Sequence, residues 1–247
     1  MGLTNPIIVI PARMAATRLP GKPLADIGGV PMIVRVLRQA EAAGIGPVIV
    51  AAGDVEIAEV VTAAGGRAVL TDPNLASGTD RVFEALQEID PEGKYDVAIN
   101  LQGDMPFIDP AHIRFLAGKF EEQPGLEMAT LIAPEASPAD RTNPDVVKAV
   151  VSLAEGADFG RALYFTRSTL YGEGPVWKHV GIYGYSRKAL EGFTVAPSTP
   201  LELREKLEQL RAMELGVEIW CAIVDSTPIS VDSPADLERA RQKAAEL

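Results

Sequence analysis

The sequence predicts an α/β fold, with a mostly parallel central sheet, helices on both faces, and a mixed or antiparallel elaboration. Three observations predict it. Short β-rich apolar runs at 7–10, 47–51, 67–70 and 95–101 alternate with helical patterns at 31–43, 54–64 and 79–89. Glycines stop the first two patterns, at Gly44 and Gly65-Gly66. Later, the runs at 160–166 and 179–185 are not joined by a helical segment of the βαβ kind, so they read as antiparallel.

The elements follow in order. In the first helical pattern Ile33, Val36, Leu37 and Ala40 share a face, and Pro31 suits the first turn. In the second, Ile57, Val60, Val61 and Ala64 repeat the spacing; in the third, Thr79 can cap and Val82, Leu86 and Ile89 face inward. A helix at 110–121 and a strand at 128–133 lead into the loop "PEASPADRTNP". Strands at 146–152, 160–166 and 179–185 precede a helix at 200–214, a strand at 217–223 and a helix at 234–245. With no repeat, low-complexity tract or long linker, 1–247 reads as one domain. Within it, 134–185 reads as an elaboration that covers a pocket or forms a subunit contact.

A formal net charge of -11 argues against a nucleic-acid binder, which needs a broad basic surface. It still permits a small anionic ligand in a local basic pocket. The single cysteine, Cys221, cannot form an intrachain disulfide and lies among apolar residues, as a buried small hydrophobe does. The start "MGLTNP" resembles no signal peptide, no run is long enough to span a membrane, and Asn5-Pro6 weakens a lipidation reading of Gly2. A cytoplasmic location without a membrane anchor is expected.

Positive charge is concentrated just after the first strand, in "PARMAATRLPGKPL". Arg13 and Arg18 supply forked donors and Lys22 a compact charge, while Pro20-Gly21 suits a tight turn. Right-handed crossovers would put this loop on the usual ligand edge of the sheet. A triphosphate needs that mixture of groups; charge alone is equally compatible with a solvated basic loop. The loop has no GxGxxG, and no Gly-Lys pair is followed by the Ser/Thr of a P-loop. His112 and His179, the only histidines, cannot build a histidine-rich metal centre.

Two distant carboxylates stand beyond strand ends, Asp104 in "NLQGDMPFI" and Asp232 in "ISVDSPADLERA". If those ends are neighbours, both acids face one cleft and could bind Mg²⁺. The simpler roles are a turn for Asp104 and a cap for Asp232 or Ser233; Asp109 and Asp236 read as helix-start residues. In "SGTDR", Ser77, Gly78, Thr79 and Arg81 either recognise a base or sugar or simply open a helix.

These segments, together with "TNPDVVKAV", "GRALYFTRS", "KHVGIYGYS" and "PLELREKLEQLR", resemble the 3-deoxy-manno-octulosonate (Kdo) cytidylyltransferase, or CMP-Kdo synthetase, family in order from residue 7 to about 241. The resemblance implies a nucleotidyltransferase-like fold and a cytoplasmic, Mg²⁺-dependent, homodimeric enzyme. It would make CMP-Kdo and pyrophosphate from CTP and Kdo for lipopolysaccharide assembly. It implies Arg13, Arg18 and Lys22 on the triphosphate and Ser77, Gly78, Arg81 and Gln102 around the cytidine. Asp104 and Asp232 would hold Mg²⁺, and Arg167, His179, Tyr183, Glu208 and Gln209 would recognise Kdo. No side chain is assigned as general base. The family's usual "QGDEP" reads "QGDMP" here, with Met105 for a glutamate. "VAAGD", "YGYS" and Leu170-Tyr171 depart similarly. A cytidylyltransferase for an amino-Kdo analogue or another acidic sugar, and a non-catalytic nucleotide sensor, also fit the residues.

Overall fold

A computed structural model describes residues 4–16, 18–135 and 137–246; Gly2 lies outside the described residues. The elements run β1 (Pro6–Ala12), β2 (Asp26–Ile27), β3 (Val30–Pro31), α1 (Met32–Ala43), β4 (Val48–Ala52), α2 (Val55–Ala63), β5 (Arg67–Leu70), α3 (Gly78–Ile89) and β6 (Val97–Asn100). They continue with α4 (Pro110–Glu122), β7 (Met128–Pro134), β8 (Lys148–Ser152), β9 (Phe159–Thr166), β10 (Trp177–Ser186), α5 (Arg187–Val195), α6 (Pro200–Glu205), α7 (Gln209–Glu214), β11 (Ile219–Ile223) and α8 (Pro234–Ala245).

One mixed sheet has the order β5-β4-β1-β6-β10-β7-β11-β9-β8, with β8 also pairing β10. β5, β4, β1 and β6 are parallel neighbours. β10 then enters antiparallel between β6 and β7, and β7 and β11 are parallel again. The expectation of a mostly parallel sheet thus describes the first half. In the second half β10 arrives without a crossover helix, and antiparallel pairing needs none.

β1 shows why the apolar runs are nearly unbroken. Ile8 and Ile10 point to one face, against Ile33 and Leu37 of α1; Ile7 and Val9 point to the other, with Val82 and Leu86 of α3. Both faces of the strand are covered, so both sets of its alternating side chains are apolar. A third cluster of Ile27, Met32, Val231, Leu237 and Ala240 docks the β2–β3 hairpin on α8. Each large side chain buried there contributes about 1.5–3 kcal/mol. That dock holds the segment carrying Asp232 against the rest of the sheet edge.

Two expectations are corrected. The helix expected at 200–214 is two helices, broken at Lys206, whose φ of 56° lies in the left-handed region. Glu202 bends the chain there: it accepts from the Thr199 backbone and binds Arg211 of α7 through both carboxylate oxygens (2.8 and 2.6 Å). Thr79 does not cap α3; Ser77 does, in a reciprocal capping box with Asp80. The helix α5 and the β2–β3 hairpin, turned on Gly28-Gly29, were not expected from the pattern.

Candidate active site

Eight of the predicted residues, Arg13, Lys22, Ser77, Gly78, Arg81, Gln102, Asp104 and Asp232, meet where β1 and β6 end. β1 runs out at Ala12 into the cationic loop, which folds back on itself through Gly21, whose N–H donates to the Met14 carbonyl (3.1 Å). Gly21 takes a φ of 70°, accessible to glycine at little cost. The Met14 N–H in turn donates to Asp54 (2.7 Å). Asp54 stands at the N-cap of α2 but makes no capping bond, its carboxylate reaching across to the loop instead.

Lys22 is delivered between two acids. Its ammonium donates to Asp104 Oδ2 (3.0 Å) and Asp232 Oδ1 (3.1 Å). The two carboxylates are brought together by a backbone bond from the Val231 N–H to the Asp104 carbonyl (2.9 Å). Ser233 then caps α8, so Asp232 is left free of the capping role. Burial works against the Lys22 charge, but Asp104 and Asp232 overcome it and its pKa is raised. Burial pushes Asp104 up; Lys22 opposes this and the like charge of Asp232 adds to it. One cation thus serves two anions. Arg18 is the outlier, exposed and 3.7 Å from Asp232.

Beside this cluster lies a cavity of about 300 Å³, lined by Arg13, Lys22, Ser77, Gly78, Arg81, Gln102 and Asp104 among others. Arg81 is buried, and its guanidinium donates to Thr71 Oγ1 and to the Asp72 and Pro73 carbonyls. It underpins the cavity wall more than it reaches into the space. Burial and the neighbouring Arg13 lower its pKa. Gly53 makes room for it: a Cβ there would come within 2.8 Å of Arg81 Nη1.

The other predicted group lies on β10 and α7. His179 sits between Phe165 and Tyr183, with ring centroids 5.2 Å from each. Its Nε2 meets Thr130 Oγ1 at 3.0 Å, and that hydroxyl donates to the Ile182 carbonyl (2.7 Å) at the register shift of β10. With its one proton committed, Thr130 can only accept from His179, so the ring carries its proton on Nε2. Burial depresses the His179 pKa to about 3, leaving the imidazole neutral, and burial raises Tyr183 well above its ordinary value. Glu208 accepts from Thr79 (2.7 Å), while its Oε1, 3.9 Å from Arg211, and the buried Gln209 Nε2 have no hydrogen-bond partner. Burial raises Glu208, opposed by Ser77, Thr79 and Arg211. Arg167 stands apart from these, donating to the Pro144 carbonyl (3.1 Å). Its own carbonyl accepts from the fully buried Lys148.

Sequence reasoning missed Thr130, Lys148, Asp54 and Asn100. Three had a signal: Thr130, Lys148 and Asn100 are polar residues in otherwise apolar strands, where an unpaired polar group is costly.

Chemically, the acid pair offers hard oxygen donors around a position already held by a cation. This fits a divalent ion such as Mg²⁺ that completes its shell with phosphate and water oxygens. Among the described residues no three or more His, Cys, Asp or Glu side chains gather into a metal cluster. Also among them, no helix is long and apolar enough to cross a membrane. Cys221 is buried and unpaired, its thiol pushed up by burial to about 12.

A family model described as cytidylyltransferase matches residues 7–219. It gives a class to the mixed sheet and its cationic strand-end loop: an α/β fold of the nucleotidyltransferase kind. A 3-deoxy-manno-octulosonate cytidylyltransferase of Parvibaculum lavamentivorans is 57% identical over 98% of this chain and 93% of its own. One from Rhodospirillum centenum is 58% identical over 96% and 92%. A solved CMP:2-keto-3-deoxy-manno-octonic acid synthetase complexed with CTP superposes with a TM-score of 0.90 at 39% identity, covering 98% of this chain and 99% of that one. The chain belongs to the 3-deoxy-manno-octulosonate cytidylyltransferase family.

Proposed function

We propose that this chain transfers CMP from CTP to the anomeric hydroxyl of Kdo, giving CMP-Kdo and pyrophosphate for lipopolysaccharide biosynthesis. The observation that carries the reading is the Lys22 ammonium held between Asp104 and Asp232 beside a cavity of about 300 Å³ lined by Arg13, Ser77 and Arg81. The relatives that bear this activity's name, at 57–58% identity, support the choice of substrates.

In this reading the sugar oxygen attacks the α-phosphorus in line, a P–O bond forms, and the bond to the departing pyrophosphate breaks. Arg13, Arg18 and Lys22 bind the triphosphate and stabilise the negative charge growing on the leaving group. Ser77, Gly78, Arg81 and Gln102 enclose the cytidine side. Asp104 and Asp232 hold Mg²⁺, which when bound neutralises phosphate charge and orients the triphosphate. Arg167 pairs with the sugar carboxylate, while His179, Tyr183, Glu208 and Gln209 read its hydroxyls. A neutral His179 with Nδ1 as acceptor suits a hydroxyl donor. The enzyme works as a cytoplasmic homodimer, with 134–185 contributing to the sugar site or the subunit contact.

Pyrophosphate release with CTP, Mg²⁺ and Kdo tests this, beside UTP, GTP, no-metal and no-sugar controls. Release requiring CTP, the metal and Kdo together is the expected result. CTP binding by a folded protein without release would turn the reading to another acidic sugar or to a sensor.

A further inference from the structure

The nucleotide-side and sugar-side residues are joined by one buried chain of hydrogen bonds. Gln102 Nε2 donates to Asn100 Oδ1 (2.8 Å), Asn100 Nδ2 to Thr79 Oγ1 (3.3 Å), and Thr79 Oγ1 to Glu208 Oε2 (2.7 Å). Asn100 is fully buried and Thr79 is 2% exposed, so neither has water as an alternative partner.

The chain has a fixed polarity, set from its far end. Glu208, when ionised, only accepts, so the Thr79 hydroxyl must donate to it. Thr79 then accepts, and Asn100 must turn its amide nitrogen toward it. Asn100 is left presenting its carbonyl oxygen to Gln102, whose nitrogen must donate. Gln102 keeps its second N–H and its carbonyl oxygen, and the oxygen is the end on the Gly78 side of the cavity: a Cβ on Gly78, which also lines the cavity, would stand 3.5 Å from Gln102 Oε1. A free side-chain amide can turn either end toward a ligand; this one is held.

We infer that Thr79 and Asn100 are positioning residues that hold the Gln102 amide with its carbonyl oxygen, an acceptor, turned toward the nucleotide. The chemistry this selects is a base edge bearing an amino donor, as in cytosine, over one bearing a carbonyl at the same position, as in uracil. The inference rests on the proposed placement of the cytidine beside Gln102. It assigns to a carboxylate on the sugar side a part in choosing the base.

The test reads binding without turnover: calorimetric affinities for CTP and UTP in the absence of sugar. Thr79→Val keeps the shape and removes the hydroxyl, freeing both amides to turn over. The CTP:UTP affinity ratio is expected to fall about tenfold. Thr79→Ser restores the hydroxyl and keeps the ratio. Glu208→Gln, whose amide can donate to Thr79, lets the whole chain reverse and relaxes the ratio likewise, although it is three links from Gln102. An unchanged ratio in folded Thr79→Val or in Glu208→Gln overturns the inference, as does a Thr79→Ser protein that behaves like Thr79→Val. If Thr79→Val does not fold, Glu208→Gln decides alone. Absence of pyrophosphate release from the unsubstituted protein would instead count against the proposed function and leave this measurement intact.

Discussion

In the parallel half of the sheet, β5-β4-β1-β6, the candidate residues stand on loops and a helix start just beyond strand ends. In the mixed half, β10-β7-β11-β9-β8, they stand on β10 itself, just after β9, and at the start of α7, the second of two short helices separated at Lys206. The first half places charge: Arg13, Lys22 and Asp104 reach the cavity from loop backbone held by a few hydrogen bonds. The second half places shape and neutral hydrogen bonds: His179, Tyr183 and Tyr185 follow one another across β10 in ring contact. Parallel strands end together, so their loops can converge on an anion. An antiparallel insertion offers its strand faces instead, which suits a ligand read by its hydroxyls.

The comparison is broken most severely at the acid pair. Asp104→Asn is expected to lower pyrophosphate release about 10³-fold, roughly 4 kcal/mol, with the thermal midpoint little changed. Near-normal metal-dependent turnover would remove Asp104 from the charge-handling half. In the mixed half the corresponding blow is structural. Arg211→Met leaves the buried Glu202 carboxylate without its partner and should cost about 3–5 kcal/mol in denaturant unfolding. A loss under 1 kcal/mol would mean that the bend at Lys206 does not depend on this pair.

His179 sharpens the contrast through pH. Its folded pKa, about 3, lies below its ordinary value of 6.5, so between the two the unfolded chain binds more protons. Stability is therefore lost as pH falls below 6.5 and levels off below about 3. The loss due to this residue is about 1 kcal/mol between pH 6.5 and 5.5. His179→Gln should remove that slope in unfolding curves taken across the window; an unaltered slope would mean that the ring takes up its proton in the folded state. The smallest effect is at Lys206: glycine accepts its left-handed backbone without strain, and Lys206→Gly should stabilise by roughly 0.5 kcal/mol. A destabilised variant would show that the lysine side chain contributes more than its backbone costs.

These two halves were unequally legible. Alternating apolar runs and glycine stops located β1, α1, β4, α2, β5 and α3 to within a residue or two, because strands and helices in that half bury continuous or 3.6-periodic stripes. The charged loop and both acids could be picked out, since charge beside an apolar strand stands out in any sequence. Their meeting could not: it depends on the Val231–Asp104 backbone bond and on the small cluster that docks α8. The break at Lys206 was hidden because "PLELREKLEQLR" has good helix formers throughout, and only the tertiary pull of Glu202 on Arg211 overrides them. Thr79 was read as a cap because hydroxyl before helix is the commoner use, and its partner lies 129 positions away.

The contact of Lys22 with Asp232 spans 210 positions. On the ribosome β1 and its cationic loop emerge and can fold long before the second carboxylate is made. Until then the loop carries positive charge with one acid of its eventual pair. A nascent or truncated chain ending before Asp232 therefore carries a stronger positive field at its ligand edge than the finished one. On the proposed reading, full affinity for a nucleotide and its metal would be a property of the completed polypeptide alone.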